Sequence, residues 1–199
     1  MANHCNNWIH FMGSKESLEK LEKALGTYED FNHVNDWVDS MIEFTPPKDD
    51  ERDYYHYGTR WFDFQVSNDD DGSLFVDGDS AWSPPLEMTR SLCEHFKVQA
   101  RHEYEEMGND FAGFIRIGDS GAIAEQQEYS YHEWRYIEDA DSFMFNLIDD
   151  LFNDLHCDFF SSLDDLLEEY NFLSQEHKKE LENEWNKPEI QENLKRQWQ

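Results

Sequence analysis

The sequence predicts an α+β fold, with a sheet domain over residues 1–135 and an acidic helical subdomain over 136–199 packed on it. Three observations carry this expectation. Runs of two-residue alternation separated by glycine- and aspartate-rich turns recur up to Tyr131. Helix-spaced apolar stripes interrupt those runs, and beyond Glu138 the periodicity becomes helical throughout. Finally, 15 Phe, 9 Tyr and 7 Trp at periodic positions supply the core that a disordered chain of this charge lacks.

The elements follow in order. Asn7 to Met12 alternates and ends at Gly13, which reads as a first strand. Ser14 then caps a helix whose apolar side is Leu18, Leu21 and Leu25, with Ser17 and Lys20 on its solvated face and Gly26 closing it. Val34, Trp37, Val38, Met41 and Ile42 recur at three and four, so a short helix lies within Phe31–Phe44, and Thr45-Pro46-Pro47 breaks it. Thr59 to Ser67 and Ser73 to Trp82 are strand-like and flank the turn Asn68-Asp69-Asp70-Asp71-Gly72, a hairpin. Ser83-Pro84-Pro85 starts a helix with Leu86, Met88, Leu92 and Phe96 inward. Val98 to Glu106, Phe111 to Ile117 and Ala122 to Tyr131 read as three further strands.

This order contains β-α-β-β-α-β, the ferredoxin-like arrangement of an antiparallel sheet with two helices on one face. Both crossovers are long enough to be right-handed. After Glu138, the residues Ala140, Phe143, Met144, Leu147, Ile148, Leu151, Phe152 and Leu155 form one stripe, predicting a helix over 139–156. Ser161 or Ser162 caps a second helix bearing Leu163, Leu166, Leu167 and Tyr170, and Ser174 caps a third bearing Leu181 and Trp185. Pro188 marks a break and a fresh start.

Charge narrows the function. The formal net charge is −29, and Tyr136 to His177 carries twelve carboxylates with no lysine or arginine. Residues 1–100 contribute −12 and residues 101–199 contribute −17. Direct nucleic-acid binding requires cations against phosphates and is not expected, nor is adhesion to an anionic membrane. No apolar run approaches the roughly 20 residues that span a bilayer. The N-terminus lacks a basic region followed by an apolar one, so the expected location is the cytoplasm. Cys5, Cys93 and Cys157 are widely spaced and without CxxC, which suits reduced thiols.

Four short patterns carry a resemblance. They are Asn3-His4-Cys5-Asn6-Asn7; Gly58-Thr59-Arg60-Trp61 with Asp63 behind it; Ala81-Trp82-Ser83-Pro84-Pro85; and Tyr104-Glu105-Glu106-Met107-Gly108 followed by Phe111-Ala112-Gly113. In order and spacing, roughly residues 1–131 resemble the ferredoxin-like domain of the YubB/Api92-like proteins, which phages, prophages and plasmids encode. The chain departs from that pattern where Tyr57 stands for a tryptophan and where Phe62 precedes the aspartate. The resemblance implies a fold and a mobile-element origin within a bacterial host, and it brings no catalytic residues.

The candidate sites divide on their chemistry. The Asp69-Asp70-Asp71-Gly72 turn, with Asp77 and Asp79, fails as an EF-hand loop, because Ser67 and Gly78 fall where end ligands are needed. His4, Cys5 and His10 lack paired metal spacing, and His132-Glu133 lacks the second histidine of HExxH, so neither metal nor cofactor is expected. Glu103 and Glu105 share a strand face opposite Glu106, and no nucleophile or phosphate-loop motif is present, so the chain reads as non-enzymatic. Trp61, Trp82 and Trp134 offer rings for stacking without a basic patch.

The acidic helices remain. Carboxylates at i and i+4 lie about 6 Å apart along a helix, comparable to neighbouring phosphates. The leading expectation is therefore a phage or plasmid accessory protein acting as a DNA mimic. It binds and inhibits a basic, nucleic-acid-handling host defence protein, a CRISPR effector or restriction enzyme, through Asp149, Asp150, Asp154, Asp158, Asp164, Asp165, Glu168 and Glu169. The alternative is a small-ligand or regulatory interaction module using the aromatic sheet face, with the acid only solubilising.

Overall fold

The fold is seen in a computed structural model in which residues 4–31, 33–42, 57–69, 72–149, 162–188 and 190–192 are described. The described chain divides into two compact units, Met1–Tyr131 and His132–Gln199.

The first unit is built on β1 (His4–Met12), α1 (Lys15–Leu25), a 3₁₀ turn (Tyr28–Asp30), α2 (Val34–Met41), β2 (Phe62–Asn68), β3 (Leu74–Ala81), α3 (Leu86–Phe96), β4 (Gln99–Glu106), β5 (Phe111–Ile117) and β6 (Ile123–Tyr129). The six strands form one sheet in the order β2-β3-β1-β4-β5-β6, antiparallel at every pairing. The segment β4-β1-β3-β2 is the four-strand order of the ferredoxin-like fold, and β5 and β6 extend it beyond β4. The expected α+β class holds.

Local chemistry sets each element. β1 starts at His4, ahead of the expected Asn7, because the inward side continues through Cys5 and Asn7 to Ile9 and Phe11, all buried. Ser14 caps α1 by accepting the Ser17 N–H at 3.2 Å, and Leu18, Leu21 and Leu25 face inward. Gly26 closes that helix in an ordinary right-handed conformation. On α3 the inward side includes Thr89 and Cys93 beside Met88 and Leu92, and Lys97 ends the helix in the left-handed region.

The core lies on one face of the sheet. Ile9, Phe11, Phe62, Leu74, Val76 and Ile115 from the strands meet Leu21, Trp37, Val38 and Leu92 from α1, α2 and α3. Each such fully buried apolar side chain stabilises by roughly 1.5–3 kcal/mol relative to exposure. The opposite face carries charge and aromatic rings: Arg101 and Arg116, paired across β4 and β5, both stand over the Phe114 ring at 4.7 and 6.0 Å.

The second unit holds α4 (Tyr131–Glu138, entered from the last residue of the first unit), α5 (Ala140–Ile148), α6 (Leu163–Glu169) and α7 (Gln175–Trp185). β6 ends at Tyr129 and α4 occupies the residues that follow, where the alternation suggested a strand to Tyr131. Met144, Leu147, Leu166, Leu173, Leu181, Trp185 and Ile190 form its core, with Tyr136, Phe143 and Phe172 packed around them. The N-caps of α5, α6 and α7 are polar. The Asp139 carboxylate accepts the Ser142 N–H at 3.0 Å, which holds its pKa below the usual value. Ser162 accepts from Asp165, and Ser174 accepts from His177, each at 3.2 Å. The expected 139–156 helix is described only as α5, with Asp149 as its C-cap.

Candidate functional site

α6 carries the densest part of the predicted acidic surface. Leu163, Leu166, Leu167 and Tyr170 recur at three and four, and Leu166 is fully buried in the helical core. That placement turns Asp164, Asp165, Glu168 and Glu169 outward, and all four are exposed. Asp164 with Glu168, and Asp165 with Glu169, are i, i+4 pairs standing about 6 Å apart along the axis. Among the described residues no ion pair involves Asp164, Glu168 or Glu169.

The electrostatics of this face oppose the helix. Asp164 and Asp165 sit in the first turn, where the helix dipole favours them, but Glu168 and Glu169 sit in the last turn, which has no basic residue. Each misplaced charge costs about 0.3–1 kcal/mol, and each like-charge i, i+4 pair a few tenths more. Packing of Leu166 and the Ser162 cap hold the helix against that cost.

The remaining predicted acids divide. Asp149 caps the C-terminal end of α5 and is half-buried, where the sequence suggested an outward position. Asp150, Asp154 and Asp158 lie outside the described residues. The structure therefore brings together Asp164, Asp165, Glu168 and Glu169 on one face and places Asp149 elsewhere in the same unit.

A second constellation is one that periodicity does not reveal. The four motifs of the family resemblance converge at one end of the sheet, where β1 begins and β3 and β4 end. Beneath the helices they form a buried hydrogen-bond chain. Asn7 Nδ2 donates to the Cys5 carbonyl at 2.7 Å and to Ser80 Oγ at 2.9 Å, which fixes its amide orientation. Asn7 Oδ1 therefore accepts from His102 Nε2 at 3.0 Å, and His102 Nδ1 accepts from Thr89 Oγ1 at 3.0 Å. His102 is fully buried, and burial pushes its pKa down to about 3, so the ring is neutral. Ser80 Oγ donates onward to the Ser83 carbonyl at 2.8 Å.

The loops around this chain are locked as well. Thr59 Oγ1 accepts the Ala81 N–H at 3.0 Å, and Ser83 Oγ donates to the Gly58 carbonyl. Gly58 has φ +97, and a Cβ there would stand 2.7 Å from the Pro84 carbonyl oxygen, so this position needs glycine. The Glu106 carboxylate accepts the Gly108 and Asn109 N–H groups at 2.8 and 2.6 Å, and is buried. The two positions that depart from the family pattern are absorbed by packing. Tyr57 is buried with its hydroxyl on Asp39 at 2.9 Å, and Phe62 opens β2 fully buried.

The chemistry available in this constellation is structural. Cys5 is buried, and burial raises its thiol to about 12; Cys93 is likewise raised to about 12. Both are free, and Cys157 lies outside the described residues. Among the described residues no group of three or more His, Cys, Asp or Glu is placed to hold a metal ion. The described part of the 68–72 turn is tied to the sheet, with His10 Nε2 3.3 Å from Asp69 and Gly72 at φ +84.

The three tryptophans differ in exposure. Trp134 is buried on α4, and Trp61 is half-buried with its ring edge-on to His4 at 5.3 Å. Trp82 is 53% exposed and holds φ +68, a backbone conformation costly for a bulky side chain.

Comparison with known proteins agrees with the resemblance read from the four motifs. Residues 61–144 match the family model described as the ferredoxin-like domain in Api92-like protein. A crystal structure of a protein Api92 from Yersinia pseudotuberculosis is similar at 22% identity and a TM-score of 0.31, over 49% of this chain. The match spans 30% of that protein's chain. No curated protein matches at a significant level.

Proposed function

Starting from a ferredoxin-like domain of the Api92-like kind over residues 61–144, we propose that this protein is a non-enzymatic accessory protein of a phage or plasmid. On this reading it acts in the cytoplasm of a bacterial host and binds a basic, nucleic-acid-handling defence protein. A CRISPR effector or restriction enzyme is the intended target class. The carboxylates of the C-terminal helices occupy the target's cationic nucleic-acid channel and exclude its substrate.

The observation that supports this reading is the face of α6. Four exposed carboxylates on a seven-residue helix, two of them against the dipole, are a stability cost that solubility alone does not require of a chain already at −29. Their 6 Å spacing along the axis suits a groove built for phosphates. Asp164, Asp165, Glu168 and Glu169 are the proposed contacts, and the proposal extends to Asp149, Asp150, Asp154 and Asp158 of the same acidic stretch. Long-range attraction makes association fast and salt-sensitive.

The test is capture from host lysate on immobilised protein at low and high salt, alongside a variant carrying Asp164→Lys, Asp165→Lys, Glu168→Lys and Glu169→Lys. Recovery of nucleic-acid-handling proteins by the parent but not by the folded variant is expected. Equal recovery by both overturns the reading.

One observation favours the second reading, a ligand or regulatory module using aromatic residues at the sheet end. Trp82 is exposed on a strained backbone, and strain of this kind gathers at sites of contact. Under that reading Trp82→Gly removes function while the α6 variant keeps it.

A further inference from the structure

A groove runs between α5 and α7 in the helical unit, with a volume of about 380 Å³. Its floor is apolar: Met144 is buried in the core below, Ile148 is half-buried, and Phe145 is 72% exposed. Its rims are acidic, with Asp141 and Asp149 from α5 on one side and Glu180 and Glu184 from α7 on the other. These residues recur at three and four along each helix, so floor and rims run parallel to the helix axes rather than closing into a cup. Lys187 pairs with Glu184 at one end, His177 lines the α7 side with its Nδ1 3.0 Å from the Tyr136 hydroxyl, and none of the described residues lining the groove is Lys or Arg.

This pattern selects its occupant. Asp141 and Glu180, exposed on opposite rims, repel an anion, and an uncharged apolar segment offers them no countercharge. A small cation leaves Phe145 and Ile148 in water, where large apolar side chains lose the stabilisation that burial brings. Only a segment that is apolar along one side and cationic along its flanks satisfies both floor and rims. From Asp141 to Asp149 the groove is about 12 Å long, roughly two turns of a docked helix. That is the helix-in-groove mode of recognition, with one or two apolar anchors.

We propose that the α5–α7 groove seats a basic amphipathic helix of a partner protein, anchored on Phe145 and Ile148 and flanked by Lys or Arg facing Asp141 and Glu180. The inference rests on the reading that the acidic helices meet a basic protein, and it adds an apolar anchor that salt does not screen. An exposed carboxylate face loses its hold as ionic strength rises, whereas a buried aromatic contact keeps it.

The probe is a synthetic helical peptide of about fourteen residues, with leucines spaced to one side and lysines flanking them. A control peptide has the same composition in scrambled order. Binding to the full chain is followed by fluorescence anisotropy at low salt and at about 0.5 M salt. The amphipathic peptide is expected to bind about tenfold or more tightly than the scrambled one, and to retain binding at high salt. Phe145→Ser, a change at an exposed position that leaves thermal unfolding in place, is expected to weaken it about tenfold. Neutralising Asp164, Asp165, Glu168 and Glu169 to their amides is expected to weaken it less than Phe145→Ser does.

Equal affinity for the two peptides, indifferent to Phe145→Ser and abolished by salt, overturns the groove while leaving the α6 reading intact. Conversely, peptide binding that depends on Phe145, beside lysate capture that ignores the α6 charge reversal, upholds the groove and overturns that reading. Displacement of the peptide by spermidine, with spermidine affinity unchanged in Phe145→Ser, identifies a small-cation site and also overturns the proposal.

Discussion

His102 governs how the sheet unit meets acid. Its ring is neutral and fully enclosed, with a pKa near 3 against an ordinary 6.5. Protons therefore bind the unfolded chain first. The contribution of this group is fully present above pH 6.5 and is lost as pH falls from 6.5 towards 3, at roughly 1.4 kcal/mol per pH unit. Replacing it in His102→Gln breaks the chain between Asn7 and Thr89 and costs about 1–3 kcal/mol at neutral pH. The gap between parent and variant should narrow from pH 7 to pH 4 in urea unfolding; a constant gap refutes the buried neutral ring. This network was hidden in the sequence for a simple reason. Alternation on β4 assigns residues to faces but gives no sign of which face is wet, and a histidine in an alternating run reads as solvated. Glu105 and Glu106 show the same limit, since both are buried although they fall on opposite faces. Cys5 and Cys93, small and isolated in the sequence, are both buried as core residues.

Among the elements, those with a wide apolar stripe were legible and those with a narrow one were not. The caps at Ser14, Ser162 and Ser174 lie where a serine precedes a helical period, and the strand order followed from the turns between alternating runs. α4 was missed because Trp134 is its sole buried residue, so no stripe announces it, and the aromatic pair Tyr129 and Tyr131 continues the look of a strand. On the proposed reading, α6 sets function against stability. Changing Glu168 and Glu169 to glutamine removes two charges from the wrong end of the helix dipole and should stabilise the helical unit by about 0.5–1.5 kcal/mol in total. The same double variant should lose partner capture. A variant that is both less stable and fully able to bind contradicts the view that these charges are kept for contact. Asp149 is half-buried beside Ile148 and lines the α5–α7 groove, a placement that apolar spacing alone does not give.

For the whole molecule, self-repulsion is the dominant long-range effect. With a net charge of −29, the folded chain holds like charges closer than the unfolded chain does. Raising ionic strength from about 0.05 to 0.5 M shortens the screening length to a few ångströms and should raise the unfolding temperature by several degrees. A fall in that temperature removes repulsion as a limit on stability. Screening should also slow association with a basic partner, so salt is expected to strengthen the fold and weaken the encounter together.

The convergence of the four motifs on a buried hydrogen-bond chain has an evolutionary corollary. Cys5, Asn7, Thr59, Pro85, Tyr104 and Glu106 are all enclosed. A likeness written in such residues measures kinship of scaffolds and is silent about clients. Relatives sharing this signature are free to have recruited quite different targets through whatever their outer surfaces carry. The signature is thus a guide to scaffold, and a client is to be sought through the outer surface.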